Sequence, residues 1–172
     1  RSLKGLYHLF VAIAANIWFG FPSRKLTVIG ITGTDGKTTT TTLIYKILKD
    51  AGFKTSMITS VHAVIAGKAY DTGFHVTTPT AWWVQKYLRD AVNHGDTHFV
   101  LEVTSHALDQ HRVFGSRFVV GVLTNVTHEH LDWHGTYEHY LQTKLKLLRS
   151  AKIAVINRDE ADIYDVAMPH LR

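Results

Sequence analysis

Val28-Ile29-Gly30-Ile31-Thr32-Gly33-Thr34-Asp35-Gly36-Lys37-Thr38-Thr39 is the stretch that decides the fold. An apolar, β-branched run from Leu26 to Ile31 stops at a glycine-spaced turn. A lysine and five threonines follow, and a helical pattern begins. A loop that cradles phosphate needs that order. Glycines let backbone N–H groups converge on anionic oxygens, the helix N-terminus adds the positive end of its dipole, and Lys37 adds a full charge. Thr38, the hydroxyl directly after the lysine, stands where such loops ligate Mg²⁺. The commonest form of the motif, GxxxxGK[ST], requires glycine where this chain has Ile31; glycines fall instead at Gly30, Gly33 and Gly36.

Working outward, the 172 residues suit one domain of ordinary size, and 45% hydrophobic against 19% charged residues excludes a disordered chain. The net charge of +5 suits an anionic partner. The bases are scattered, which fits a nucleotide or phosphorylated substrate and argues against a nucleic-acid track. No cysteine is present, which excludes disulfides, thiolate zinc sites and a cysteine nucleophile and suits a reducing, cytoplasmic setting.

Strand-like and helical patterns alternate after the loop. Strands are expected at Leu26–Ile31, Thr55–Thr59, His98–Val103, Phe118–Leu123 and Ile153–Ile156. Val61–Ile65 and Lys68–Tyr70 should form a hairpin about Ala66-Gly67. Helices are expected at Lys37–Ala51, with Leu43, Ile44, Ile47 and Leu48 on one face and Gly52 as the stop, and at Thr136–Leu148. A third should open at Thr78, as N-cap before Pro79, and run to about Asn93. The alternation predicts an α/β fold, a mostly parallel sheet with helices on both faces. Ligands of such sheets bind beyond the carboxyl ends of the strands, where Thr32–Thr39, Glu102–Arg112, Thr124–His134 and Asn157–Glu160 fall.

Residues 1–25 are set apart as an apolar helix and linker, and 26–172 as the nucleotide-binding domain. From Gly5 to Phe21 no side chain is charged, a run at the short limit for a membrane span and broken by His8 and Asn16. One helix over Leu3–Phe21 that docks on a protein or a membrane surface is the expectation.

Glu102 sits one residue from the end of an apolar strand, Phe99-Val100-Leu101-Glu102-Val103. A carboxylate is costly there unless paired or bound to metal, and in a phosphate-loop fold a Mg²⁺ ligand belongs at that place. His128-Glu129-His130-Leu131-Asp132 resembles the HxHxD zinc signature of metallo-β-lactamase-type hydrolases. The next histidine, His134, comes one residue late, and that fold has no place for the phosphate loop. Lys144 borders the apolar Leu141/Leu145/Leu148 stripe, where a lysine ordinarily snorkels to solvent.

Taken together, Gly33–Thr39, Thr77-Thr78-Pro79, Glu102 through Leu108, Gln110, Arg112, Thr124-Asn125, His130-Leu131-Asp132, His134-Gly135, His139-Tyr140 and Lys144 closely resemble the ATP-binding central domain of the Mur ligases, over about Leu26 to Glu160. They resemble the UDP-N-acetylmuramoyl-tripeptide synthetase branch in particular. The resemblance implies an ATP-dependent, amide-bond-forming ligase of peptidoglycan precursor synthesis. Its acceptor would be a UDP-muramoyl-peptide-like substrate, activated as an acyl phosphate and attacked by an amino acid. It implies a nucleotide site of Gly33, Thr34, Asp35, Gly36, Lys37, Thr38, Thr39 and Asn125. Thr38 and Glu102 would hold one Mg²⁺, and His130 and a carbamylated Lys144 a second; Lys37, Glu102, His130 and Lys144 would be catalytic. Substrate contacts would come from Thr77, Thr78, Thr104, Ser105, Gln110 and Arg112. Three positions depart from the family pattern: Asp35 replaces asparagine, Thr104 replaces serine, and Val76 stands where an amide is common. The amino-acid-selecting domain is expected beyond Arg172, and without it this stretch should not complete a catalytic cycle. Folylpolyglutamate or poly-glutamate ligases, a lipid II amidating subunit, and a non-catalytic nucleotide-binding module are the alternatives.

Overall fold

In the computed structural model, residues 3–71, 78–127, 136–159 and 161–170 are described. The elements run α1 (Leu3–Trp18), β1 (Thr27–Thr32), α2 (Lys37–Asp50), β2 (Thr55–Ile58), β3 (His62–Ile65), β4 (Lys68–Asp71), α3 (Ala81–His94), β5 (His98–Glu102), α4 (Ser105–Asp109), β6 (Phe118–Leu123), α5 (Tyr137–Ser150), β7 (Ala151–Ile156) and α6 (Ala161–Ala167). The strands make one sheet in the order β4-β3-β2-β5-β1-β6-β7. Strands β2, β5, β1, β6 and β7 are parallel; β3 and β4 add an antiparallel hairpin at one edge. Its tight turn is Ala66-Gly67, both with positive φ.

The pleat sorts side chains between two cores. Val28, Phe99, Leu101 and Phe118 face one, which α3, α4 and α5 complete with Leu88, Ala107 and Leu145. Ile29, Ile31, Met57 and Val100 face the other, under Tyr45 of α2. Successive residues of a strand point to opposite faces, so Glu102, two on from Val100, projects to the side carrying α2. The parallel register sets Glu102 opposite Ile31, and Thr32 opposite Leu123, so the strand ends converge on one edge.

Three local expectations change. Helix α2 buries Thr41 and Tyr45 and half-buries Ile44 and Leu48, while Leu43 and Ile47 are exposed. Thr41 and Tyr45 lie on the same helical stripe as Leu48, and the hydroxyl-bearing side of the helix is the one the sheet receives. Helix α3 starts at Ala81 with Thr80 at its N-cap, and not at Thr78. The Thr78 hydroxyl donates to Glu102 O (3.1 Å) and accepts from Thr104 N (3.2 Å), which ties the segment before α3 to the end of β5. Helix α1 stops at Trp18 instead of continuing to Phe21; Phe21 has a left-handed backbone, φ 52°.

Candidate active site

The loop between β1 and α2 is shaped by two glycines and held by β6. Gly36 takes φ 75° at the N-cap of α2, a conformation that disfavours other residues. A Cβ on Gly33 would stand 1.9 Å from Thr124 Oγ1, so the close approach of the loop to β6 excludes any side chain there. Asn125 Oδ1 accepts from both Thr34 N (3.0 Å) and Asp35 N (2.8 Å), and its carbonyl accepts a further bond from Thr34 N at 3.0 Å. Thr124 Oγ1 donates to Asp35 O at 2.7 Å. Lys37 Nζ folds onto the loop and donates to Thr34 O at 2.6 Å.

Glu102 is 1% exposed, and its carboxylate accepts from Thr38 Oγ1 (2.9 Å), Ser60 N (2.9 Å) and Ser60 Oγ (3.2 Å). Among the described residues no ion pair reaches it. A buried anion met by hydroxyls and an amide, with no cation, is a donor set of hard oxygens that fits Mg²⁺. The carboxylate sits beside the first turn of α2, so this fit arises where a phosphate-bound cation would be needed. Gly33–Thr39, Ser60, Glu102, Thr104, Ser105, His106 and Tyr140 line an open cleft of about 360 Å³. Among the described residues no group of three histidines or carboxylates is placed to hold a metal.

Lys144 does not snorkel. It is 1% exposed, its Nζ donates to Gly33 O at 2.6 Å, and it lies 4.3 Å from the centroid of the Tyr140 ring. The packing of α5 against β1 and β6 turns this side chain inward, toward the loop carbonyl. The Tyr140 hydroxyl pairs with Thr34 Oγ1 at 3.2 Å, so α5 grips the loop at two points.

On the other flank, Arg112 donates to Gln110 Oε1 through Nε (3.1 Å) and Nη2 (2.7 Å), and to Thr78 O through Nη1 (2.6 Å). Burial lowers its pKa from the ordinary arginine value, but an arginine stays charged through the physiological range. Thr104 caps α4 by accepting from Ala107 N at 3.1 Å, and Ser105 is 3% exposed. The structure thus brings Thr78, Thr104, Gln110 and Arg112 into one network behind Glu102. Thr77, Val76 and the whole His128–Gly135 stretch, His130 included, lie outside the described residues. Sequence reasoning gave no role to Ser60, Tyr140 or His106. Position alone could have raised Ser60, a hydroxyl two residues past the end of a parallel strand.

Asn125→Ala removes the acceptor shared by two loop amides. We expect a stability loss of about 1–3 kcal/mol by thermal unfolding, with weaker nucleotide binding by calorimetry.

The Mur ligase middle domain family matches residues 31–168. The UDP-N-acetylmuramoyl-L-alanyl-D-glutamate–2,6-diaminopimelate ligase of Clostridium botulinum (strain ATCC 19397 / Type A) is 39% identical over 151 residues, 88% of this chain and 31% of that protein. The UDP-N-acetylmuramyl-tripeptide synthetase of Deinococcus radiodurans is 44% identical over 151 residues, 87% of this chain and 31% of that protein. The crystal structure of MurF ligase from Thermotoga maritima in complex with ADP superposes with a TM-score of 0.67 at 25% identity, covering 92% of this chain and 35% of that one. The chain therefore spans about a third of the length of these relatives. With its parallel sheet, its glycine loop at the head of α2 and this match over most of its length, the chain belongs to the Mur ligase family, and residues 31–168 are its middle domain.

Proposed function

We propose that this domain binds ATP with Mg²⁺ and, within the full-length protein, drives amide-bond formation on a muramoyl peptide in the cytoplasm. The observation that carries the reading is the Glu102 carboxylate, buried with no ion-pair partner among the described residues and hydrogen-bonded to Thr38 at the head of the glycine loop. The relatives' names supply the substrates: UDP-N-acetylmuramoyl-L-alanyl-D-glutamate as acceptor and a diamino acid such as 2,6-diaminopimelate.

The amides at the head of α2, Gly36 to Thr39, and the Lys37 ammonium would hold the phosphates, while those of Thr34 and Asp35 stay bonded to Asn125; Thr38 with Glu102 would hold the cation. Mg²⁺ bound there would neutralise phosphate charge as a Lewis acid. The acceptor carboxylate attacks the γ-phosphorus as the bond to ADP breaks. The amine then attacks the acyl carbon, inorganic phosphate leaves with the C–O bond electrons, and the ammonium proton is lost to the surroundings. This chain's part is positioning and charge neutralisation. Arg112, held by Gln110, is a cation offered to the substrate on this flank, with Thr77, Thr104 and Ser105 as further contacts. Thr78, whose hydroxyl is engaged with the backbone, acts by positioning Thr104. A second cation held by His130 and a carbamylated Lys144 belongs to the same proposal and is supported by the family resemblance.

The test is phosphate release by the full-length protein. ADP and phosphate should form only when ATP, Mg²⁺, the muramoyl dipeptide and the amino acid are all present. Release that ignores the acceptor, or no release while nucleotide still binds, would overturn the proposal.

A further inference from the structure

Helix α1 lies outside the stretch that matches the family and is nonetheless firmly seated. Ala12 and Ala15 are fully buried, and small side chains there allow α1 a close approach to α3. The Asn16 amide donates to Phe114 O at 2.8 Å, and Arg89 Nε donates to Phe19 O at 2.8 Å just past the helix end. Seating that face leaves the opposite one outward. Leu6, Phe10, Ile13 and Ile17, spaced four, three and four residues apart, form one stripe and are 65%, 70%, 42% and 64% exposed. Tyr7 and Trp18 stand exposed toward its two ends, and Trp82 of α3 lies 6.0 Å from Trp18.

We infer that this face of α1 is a docking surface for an anionic lipid bilayer, with the helix lying in the interface plane. The charge pattern selects this occupant. Residues 1–34 hold no carboxylate, while Lys4 before the stripe and Arg24 and Lys25 after it are all exposed cations. An apolar stripe with cations at both ends and Tyr and Trp near them matches the chemistry of a headgroup boundary. Sixteen residues rise about 24 Å, short of the roughly 30 Å hydrocarbon core, and no helix among the described residues is long and apolar enough to cross a membrane. In the hollow beside the N-terminal half of α1, Asp109 is the carboxylate among the lining residues, and it faces Lys146 at 3.8 Å.

The experiment is co-sedimentation of the full-length protein with vesicles of phosphatidylcholine alone or mixed with phosphatidylglycerol. Binding to the anionic vesicles should be roughly tenfold or more tighter and should weaken at high salt. The double variant Phe10→Glu/Ile17→Glu should lose vesicle binding while its melting temperature and nucleotide affinity stay unchanged, because both side chains are exposed and far from the loop in sequence. The triple variant Lys4→Gln/Arg24→Gln/Lys25→Gln should lose the preference for phosphatidylglycerol. Absence of binding to either vesicle, or binding that the double variant retains, overturns the inference. So does a dimer in sedimentation equilibrium that the double variant abolishes while vesicles have no effect, since the occupant is then a second copy. Nucleotide affinity read in the same samples keeps this outcome separate from the fate of the ligase proposal.

Discussion

Lys37→Ala should weaken ADP and ATP binding by about ten- to a hundredfold and cut turnover of the full-length protein by roughly 10²–10³-fold. In the structure Lys37 Nζ donates to the loop carbonyl of Thr34 at 2.6 Å. That bond engages one of the ammonium's three donors and joins a full charge to a neutral acceptor. A phosphate oxyanion is a far better partner, and a charge-assisted bond of this kind contributes about 1.5–3 kcal/mol. At about 1.4 kcal/mol per factor of ten, the affinity range follows. The larger loss in turnover reflects charge that grows on the transferring phosphoryl group, where a fixed cation acts without reorganising. Calorimetry with ADP reads the first effect and phosphate release the second. Equal affinities for wild type and variant would remove the loop from the nucleotide site.

Lys144→Ala should cost at least roughly a hundredfold in turnover, and added acetate or formate should restore part of it. Two roles compete for this side chain, and the rescue separates them. As the amine, Lys144 latches the loop by donating to Gly33 O, and the Tyr140 ring beside it favours the cation. As the carbamate it would be an anion and could no longer donate that bond from an ammonium, so the loop would be released as a metal ligand formed. A pure latch predicts weaker nucleotide binding that added carboxylate leaves unchanged. A carbamate predicts turnover that a small acid recovers, because the acid returns a carboxylate oxygen to the vacated space. Unchanged activity would exclude both. The substitution also opens a cavity in a fully buried place, so the melting temperature should fall, by about 2–3 kcal/mol of stability.

The sequence by itself determined the parts governed by short-range rules. The strand, glycine turn and helix at 26–51, the Ala66-Gly67 hairpin and the boundaries of β6 depend on backbone freedom, β-branched runs and turn chemistry within a few residues. The glycine loop between β1 and α2 was legible because its turn chemistry is written in consecutive residues. Where a competing interaction lay far along the chain, local reading failed. Thr78 reads as a helix cap until β5 offers it the Glu102 carbonyl, and the Leu43/Ile47 pair reads as core until the sheet takes the Thr41/Tyr45 side of α2.

Only the tertiary structure decided which groups meet. The order β2-β5-β1-β6 lays strand ends side by side that are separated by 42 residues between Ser60 and Glu102, and by 91 between Thr34 and Asn125. Periodicity could put Lys144 at the edge of an apolar stripe, but only the docking of α5 on β1 shows that a carbonyl waits there to receive it. The same holds for α1, whose apolar residues run all along the helix. Which of them are buried, and which stay outward, follows from the small-residue face that α3 accepts. The physical reason is common to each case: a side chain's local preference is worth about 1 kcal/mol or less, and one buried hydrogen bond or packed face from a distant segment is enough to override it.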